Sequence, residues 1–257
     1  MSNNSQIHNE LIAIYSMWKR EVIRFFRSRS RLIASLATPF LFLAVLGSGL
    51  NGAISGGSVS YLDFIAPGVL AMVLLTGSIF SGSIVIMDRQ FGFLKETLIA
   101  PVSRTSIVIG KALGGATTAL IQGCLMIAVS VFVLGVHISL TSILTAIPLM
   151  ALISMSLVSL GVAMASIMED MQGFQLIMNF LVMPMFFLSG ALFPLEKAPA
   201  ILQYLSYIDP LTYAVESLRY LFIGSSHIPI SISVSVLCVF FLITNLAASY
   251  LFGKIED

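Results

Sequence analysis

Two long apolar runs without a single charged residue most constrain how this chain can fold. One covers 64–87 and the other covers 112–136. A helix rises roughly 1.5 Å per residue, so about 20 such residues cross the hydrocarbon core of a bilayer. The whole chain of 257 residues is 58% hydrophobic and only 10% charged. So few charges cannot cover that much apolar surface in water, and we therefore predict an all-α polytopic membrane protein.

Six segments meet the length requirement and are predicted to cross the bilayer within one transmembrane domain that covers residues 1–257. Their ranges are 32–50, 64–87, 105–136, 140–168, 174–193 and 230–252. Pro39 and Pro184, inside the first and fifth segments, predict kinks because proline cannot complete the helical hydrogen-bond ladder. Near the start of the third segment, Gly110 and Gly114 have the small-xxx-small spacing that lets another helix approach closely.

Residues 11–31 combine an apolar stripe with six basic side chains. Apolar residues recur there at steps of three and four, namely Leu11, Ile14, Tyr15, Trp18, Val22, Phe25 and Phe26. This pattern predicts a helix that lies in the membrane interface, with its basic face toward anionic headgroups. The side chains assigned to that interface are Trp18, Lys19, Arg20 and Arg24. The alternative is a basic flank that only orients the first span, which leaves the stripe unexplained.

The segment 88–104 is a charged island between the second and third predicted spans. Asp88 is placed to cap a short helix whose apolar residues recur at Phe91, Leu94 and Leu98. Pro101 is expected to end that helix, and Ser103 or Thr105 is expected to cap the next one. A solvated linker has no need of an apolar helix face, so we expect a partner to dock on this segment.

Residues 194–227 are apolar but interrupted by proline, most sharply at Asp209-Pro210. Asp209 as the cap, Pro210 in the first turn and Gly224 at the end predict a short helix after the interruption. Each half of the segment is too short to cross a bilayer alone. We therefore expect a pair of re-entrant helices in the outer leaflet rather than a seventh span.

Lysine and arginine residues orient the predicted spans. With six spans and a cytoplasmic N-terminus, eleven of these residues fall on the inner side and two, Lys197 and Arg219, on the outer side. The positive-inside bias therefore places both termini and the segment 88–104 in the cytoplasm. On the outer side, Arg219 follows Glu216 by three residues, which predicts an ion pair on one helix face.

The predicted spans carry no charged residue in their interiors. Ion-coupled transporters, proton pumps and voltage sensors need such groups near the midplane, so these classes are disfavoured. No serine has a histidine placed to act as its base, which argues against an intramembrane hydrolase. Lys111 lacks the flanking residues of a phosphate-binding loop. Gln122, Asn179 and Asn245 are expected to form interhelical hydrogen bonds, with substrate binding as the alternative.

The chain resembles the membrane subunit of type-2 ATP-binding-cassette exporters, of the daunorubicin-resistance and nodulation-factor permease kind. Two stretches carry the resemblance, DRQFGFLKETLIAPVSRTSIVIGKALGG at 88–115 and FPLEKAPAILQYLSYIDPLTYAVESLRYLF at 193–222. Together with the spans it extends over residues 11–252. Gln90 departs from the pattern, because family members often carry an acidic residue there, so the charge of that contact differs.

The resemblance implies a cytoplasmic coupling helix in the loop after the second span, which sits on a separate ATPase subunit. The residues expected at this contact are Asp88, Arg89, Phe91, Gly92, Leu94, Lys95 and Glu96. Pro101 and Arg104 are expected to form the elbow into the third span, and Glu169 and Asp170 a second, smaller contact. The residues expected at an outer gate are Asp209, Pro210, Glu216 and Arg219.

The same resemblance implies how the protein works and what accompanies it. ATP and magnesium are expected on the ATPase subunit, so this chain is expected to bind no cofactor or metal and to be no enzyme itself. A second copy, identical or a close paralogue, is expected to complete a pathway that opens alternately to the two sides of the cell (plasma or inner) membrane. Membrane lipid is a further expected partner, and nucleic acid is not.

The absence of charge in the spans favours an exported amphiphile, drug-like or linked to a lipid or glycan. Alternatives are a permease that extrudes ions or antibiotics, a less suitable uptake permease, and a membrane scaffold that transports nothing. An intramembrane enzyme is the remaining alternative, and it lacks a catalytic pair in this sequence. Exporter and scaffold both predict a docked partner, but only the exporter predicts ATP hydrolysis that depends on segment 88–104.

Overall fold

The structure is a computed structural model that describes residues 3–50, 60–93 and 102–254, all of whose regular elements are helical. The N-terminal part contains α1 (Asn3–Arg27), α2 (Arg29–Phe42), a π-helical turn (Leu43–Gly47), α3 (Tyr61–Gly82) and α4 (Ile84–Gln90). The remainder contains α5 (Arg104–Leu134), α6 (Leu140–Ile167), α7 (Met171–Leu188), a 3₁₀ turn (Leu195–Lys197), α8 (Ala200–Ile208), α9 (Pro210–Ile223) and α10 (Ile230–Gly253). The predicted all-α class is thus confirmed in the described residues.

Five helical segments are long and apolar enough to cross a membrane. They are Tyr61–Gln90, Arg104–Leu134, Leu140–Ile167, Met171–Leu188 and Ile230–Gly253, and they correspond to the second to sixth predicted spans. The first predicted span, 32–50, falls on a shorter apolar helix, Ser35–Leu50. Pro39 lies inside α2 and is followed by the π-helical turn, as expected where the regular hydrogen-bond ladder is disturbed.

Helix α3 forms the centre of the bundle. It packs against α2, α5, α6 and α9, and α10 covers the far side of α6. Leu74, Leu75 and Ile79 of α3 are completely buried among these neighbours. The outward faces of α7 and α10 remain apolar and exposed in the single chain, as expected of surfaces that meet lipid or a second membrane subunit. α3 is therefore the element against which every site described below is positioned.

Helix α1 docks along α5 through the predicted glycine pair. A Cβ atom placed on Gly110 would lie 2.7 Å from the Cβ of Met17, and one on Gly114 would lie 2.5 Å from the Cβ of Glu21. Trp18 adds a hydrogen bond of 3.0 Å from its Nε1 to Thr117 Oγ1 on α5. The predicted close helix approach is confirmed, and only glycine leaves room for it.

The apolar stripe of α1 is divided between protein and surroundings, which corrects the prediction that the whole stripe faces lipid. Phe25 is buried and Trp18 is half-buried, whereas Leu11, Tyr15 and Phe26 are exposed. A stripe at steps of three and four fits a lipid surface and a protein surface equally well. The two glycines on α5 let one side of the stripe pack against protein instead of lipid.

We predict that Gly114→Leu displaces α1 from α5, because the new side chain would overlap Glu21 and overpacking costs about 1–3 kcal/mol. Trp18 is the single tryptophan of the chain, so its fluorescence emission is expected to move to longer wavelength as the indole becomes solvated. Gly49→Leu is the matched control, since no atom lies within 4 Å of a Cβ at Gly49. An unchanged Trp18 emission in the Gly114 variant would contradict this packing.

Candidate functional site

Asp88 is the centre of a buried charge cluster that joins three helices. Its side chain accepts hydrogen bonds from Arg20 Nη2, from Arg24 Nη2 at 3.4 Å and from Lys111 Nζ at 2.9 Å. Asp88 and Lys111 are only 2% and 4% exposed. A buried carboxylate is tolerated when cations and donors surround it, and here α1 and α5 supply them to α4.

The structure corrects one prediction about these residues and adds partners to another. Asp88 does not cap a helix, because it lies in the last turn of α4 and Ser83 precedes that helix. Arg20 and Arg24, assigned by the sequence pattern to the membrane surface, are directed to Asp88, and Lys19 is exposed. The reason is local: a buried carboxylate within reach attracts flexible basic side chains more strongly than a solvated headgroup does.

Glu21 belongs to the same region and carries no signal in the sequence pattern except that it is the one acidic residue in 11–31. It is 4% exposed, and its carboxylate has no hydrogen bond within the described part of the chain. Burial raises its pKa, while Lys111, Arg24 and Arg20 act in the opposite direction. Glu21 is thus a second buried carboxyl group beside the three cations that surround Asp88.

The end of α4 and the turn between α6 and α7 lie side by side. Arg89 Nη1 donates a hydrogen bond of 3.3 Å to the carbonyl oxygen of Met168, immediately before Glu169 and Asp170. Both acidic residues are exposed, and Asp170 caps α7 by accepting a hydrogen bond from Gly173 N. The two predicted contact regions are therefore adjacent.

Past Arg89, the chain turns outward and exposes an apolar side chain. Phe91 is 68% exposed, and Gly92 has a φ of +78°, a left-handed conformation that favours glycine. Leu94, Lys95, Glu96 and Pro101 lie outside the described residues. Arg104 is the first residue of α5, and the preceding Ser103 caps that helix through Ser106 N, as one of the two predicted caps.

Glu216 and Arg219 form the predicted ion pair on α9 and are buried. Arg219 also donates to the carbonyl oxygen of Gly190 at 2.7 Å, and its guanidinium lies 4.2 Å from the ring centre of Phe64 on α3. Glu216 Oε2 accepts from the backbone nitrogen of His227. The pair thus links α9 to α3 and to the chain that leads into α10.

Asp209 and Pro210 begin α9 as predicted, and Gly224 ends it with a φ of +78°. Asp209 Oδ1 accepts from Leu211 N at 3.0 Å, while its Oδ2 is buried without a partner in the described structure. Burial raises the pKa of Asp209 to about 7, although the hydrogen bond from Leu211 N and the nearby hydroxyl of Thr212 act to lower it. With 9 and 14 residues, α8 and α9 are too short to cross a bilayer.

A cavity of about 440 Å³ lies between α1, α2, α3, α5 and α7, next to the charge cluster. Its walls combine uncharged polar side chains, among them Thr76, Thr118 and Gln122, with a larger apolar surface. Gln122 Nε2 donates to Ser35 Oγ at 3.0 Å, which confirms the expected interhelical hydrogen bond. Asn245 contacts Ser159 Oγ across α10 and α6 at 3.5 Å in the same way. The sequence pattern does not predict this cavity, because its lining residues come from several separate helices.

We predict that Asp88→Asn destabilises the protein by about 3–5 kcal/mol, since it leaves Lys111 and two arginines without a buried counter-charge. The double variant Asp88→Asn, Lys111→Met is expected to recover part of that loss. Thermal unfolding in detergent, followed by circular dichroism, measures both. Asp170→Asn is the control, because an exposed asparagine caps a helix as well as aspartate does. Strictly additive losses in the double variant would contradict the pairing.

Asp209 makes stability depend on pH. Because its folded pKa is raised to about 7, the folded state keeps its proton while the unfolded chain ionises, so stability is greatest at low pH. It falls between about pH 4 and 7 by on the order of 4 kcal/mol, at roughly 1.36 kcal/mol per pH unit. Asp209→Asn keeps the cap and removes the titration, so the variant is expected to unfold later than the wild type at pH 7.5 and similarly at pH 4. Equal pH profiles of the thermal midpoint would contradict this.

Comparison with known proteins identifies the family. The model of the ABC-2 type transporter family matches residues 12–223. The inner membrane transport permease YadH of Escherichia coli K12 is 29% identical over 243 residues, 91% of this chain and 92% of the relative. The putative transport permease ycf38 of Cyanophora paradoxa is 31% identical over 218 residues, 83% of this chain and 75% of the relative. Nodulation protein J of Rhizobium leguminosarum biovar viciae is 26% identical over 245 residues, with 93% and 91% covered. The chain therefore belongs to the ABC-2 type transporter family and is a membrane permease of that family.

Proposed function

We propose that this chain is the membrane subunit of an ATP-driven exporter for amphiphilic molecules, and that a separate ATPase subunit moves it. Membership of the ABC-2 transporter family supports the class. The observation that carries the proposal is the adjacency of two surfaces at one end of the bundle. There the exposed Phe91-Gly92 turn follows a buried anchor at Asp88 and lies beside the turn at 168–170.

In this proposal, α2 and its continuation to residue 50 form a first span, which gives six spans with both termini in the cytoplasm. The apolar helix Ser35–Leu50 supports that arrangement, because tilt and flanking residues can adapt a slightly short segment to the bilayer. The distribution of lysine and arginine supports the orientation. The segment 88–104 is then the coupling element, and α8 and α9 form a re-entrant pair on the outer side.

Coupling requires that the ATPase contact the loop differently in its two states, since binding alone shifts no equilibrium. The charge cluster supplies a rigid base for such a contact. A force applied at Phe91 reaches Asp88 three residues earlier, and Asp88 is bonded to Arg20 of α1 and to Lys111 of α5. Movement of the loop therefore displaces two further helices rather than bending a free linker.

Two copies of this chain, or one copy and a close paralogue, would line the pathway between them. The apolar outward faces of α7 and α10 support this, because a second subunit is one of the two surroundings they suit. Buried charge is concentrated near Asp88 and near Glu216, and the helix middles between them are uncharged. Amphiphiles can move along such walls without leaving a charge unpaired. On the outer side, the Glu216–Arg219 pair would hold the gate in a closed arrangement.

We predict that Phe91→Ala lowers the ATPase activity of the purified complex by about tenfold, because an exposed aromatic anchor of a docking surface contributes roughly 1–2 kcal/mol or more. The partner is first identified by purification of the tagged chain from its own membrane and mass spectrometry. ATP hydrolysis is then measured with equal amounts of permease in the membrane. Permease-dependent hydrolysis is expected to fall, while the isolated ATPase is unaffected.

Phe132→Ala is the matched control. Phe132 is 87% exposed near the opposite end of α5, so the same truncation removes an exposed ring far from the proposed contact. Equal ATPase activity in both variants would contradict the coupling assignment. A tagged chain that brings down no ATPase, even after crosslinking, would favour the membrane scaffold instead.

A further inference from the structure

We propose that the cavity between α1, α2, α3, α5 and α7 binds the uncharged, hydroxyl-bearing headgroup of an amphiphile inside a single subunit. This inference rests on the proposed function and names a substrate class for it. It also places the binding site away from the surface at which two copies would meet. Its volume of about 440 Å³ lies within the range of small-molecule sites.

Three hydroxyl groups in the cavity walls offer hydrogen-bond acceptors to a ligand. Thr76 Oγ1 donates to Met72 O at 2.9 Å, Thr118 Oγ1 donates to Gly115 O at 2.8 Å, and Ser83 Oγ donates to Phe80 O at 2.7 Å. Each hydroxyl has thus used its proton within its own helix and offers only lone pairs to the cavity. Walls of this kind call for a ligand that donates hydrogen bonds.

Gln122 adds a further hydrogen-bond acceptor, its buried amide oxygen, to the cavity. The side chain is 96% buried in a helix of the membrane region, and one end of its amide is held by Ser35 Oγ. The other end, Oε1, has no partner among the described residues and lies against Gly77, at 2.2 Å from where a Cβ would stand. A buried amide oxygen without a donor is unfavourable, so a donor held in the cavity beside Gly77 would stabilise the protein.

The charged end of the cavity argues against a headgroup of either sign. Glu21 and Arg24 both line it, so an anion would face the carboxylate and a cation would face the guanidinium. Arg20 and Lys111 lie behind them and are bonded to Asp88 rather than to a group that lines the cavity. Arg24 Nη1 is a buried donor without a partner. A neutral hydroxyl can accept from Arg24 and donate to Glu21 at once, whereas an ammonium cannot accept and a fully ionised phosphate cannot donate.

Apolar residues complete the walls and suit the rest of an amphiphile. Phe25, Met72 and Phe80 line the cavity together with Pro39. Thr38 of α2 and Gln175 of α7 are exposed members of the lining, so the cavity is open between these two helices. The rings of Phe42 and Phe186, with centroids 6.0 Å apart, join the same helices elsewhere along their length. A headgroup can therefore sit inside while its chain leaves toward the apolar surface.

The test uses three probes with one octyl chain and different heads: octyl glucoside, octyl phosphate and octylamine. Each is added below its micellar concentration to the full chain in phosphatidylcholine nanodiscs. The fluorescence of Trp18 reports binding, because its indole nitrogen is bonded to Thr117, next to the lining residue Thr118. Saturable binding of octyl glucoside, at least about tenfold tighter than that of the two charged probes, is the expected result. Tighter binding of either charged probe would overturn the headgroup assignment.

Substitutions of lining residues test whether octyl glucoside binds in this cavity. Gln122→Leu keeps the size of the side chain and removes its hydrogen bonds, so octyl glucoside affinity is expected to fall about tenfold, or 1.4 kcal/mol. Asn245→Leu is the control, since Asn245 is also an amide in a membrane helix but is absent from the cavity lining. Thr76→Val serves where Gln122→Leu fails to fold. Equal affinity in wild type, Gln122 and Thr76 variants would show partition into lipid and overturn the site.

The binding experiment and the ATPase experiment on Phe91→Ala can fail independently of each other. If octyl glucoside does not bind but the permease still raises ATP hydrolysis through Phe91, the substrate class is wrong and the proposed function stands. If octyl glucoside binds and no ATPase accompanies the chain, the cavity is a lipid-type site in a protein with another role. In that second case the transport assignment fails while the binding site holds.

Discussion

A single buried carboxylate holds one end of this permease together. Asp88 contacts Arg20 and Arg24 of α1 and Lys111 of α5, and it lies on the short helix that continues α3. Two charges removed from water attract each other strongly only when their geometry and remaining hydrogen bonds are good, and breaking such a pair costs far more than a surface ion pair contributes. Four helices therefore depend on one side chain. The cluster therefore also fixes the position of the exposed turn at Phe91, which follows three residues after Asp88.

The charge cluster and the glycine pair together fix the position of α1 on α5. Gly110 and Gly114 let α1 approach α5 closely enough for Arg20, Arg24 and Glu21 to reach the end of α4. The ion pairs in turn fix the rotation of α1 about its axis, which directs Glu21 and Arg24 into the neighbouring cavity. The packing of α1 thus affects both the end of α4 and the cavity wall. A helix assigned by its amphipathic pattern to the membrane surface is also a structural part of the bundle.

Local sequence signals were sufficient to predict much of this fold. Uncharged apolar runs located five long helices, Asp209-Pro210 and Gly224 marked both ends of α9, and the spacing of Glu216 and Arg219 predicted their pair. Each of these features is decided by residues within a few positions of each other. The burial of Asp88 was not predictable in this way, because a charge between two apolar runs normally marks a solvated loop. Its partners lie 68 and 23 residues away, at Arg20 and Lys111. The cavity is harder still, since its acceptors come from separate helices and only tertiary packing brings them together.

Helix α3 connects the two charged ends of the molecule. Near its beginning, Phe64 lies under the guanidinium of Arg219, which is paired with Glu216 on α9. Beyond its end, α4 carries Asp88. Between these points α3 is buried on most sides and contributes Thr76 and Gly77 to the cavity. Since a packed interior transmits a displacement rather than absorbing it, a shift imposed at Asp88 is expected to reach both the cavity and the Glu216–Arg219 pair along this one helix. Between Phe64 and Gly82, α3 carries no charged residue, so its fixed points are the two charged ends that it connects.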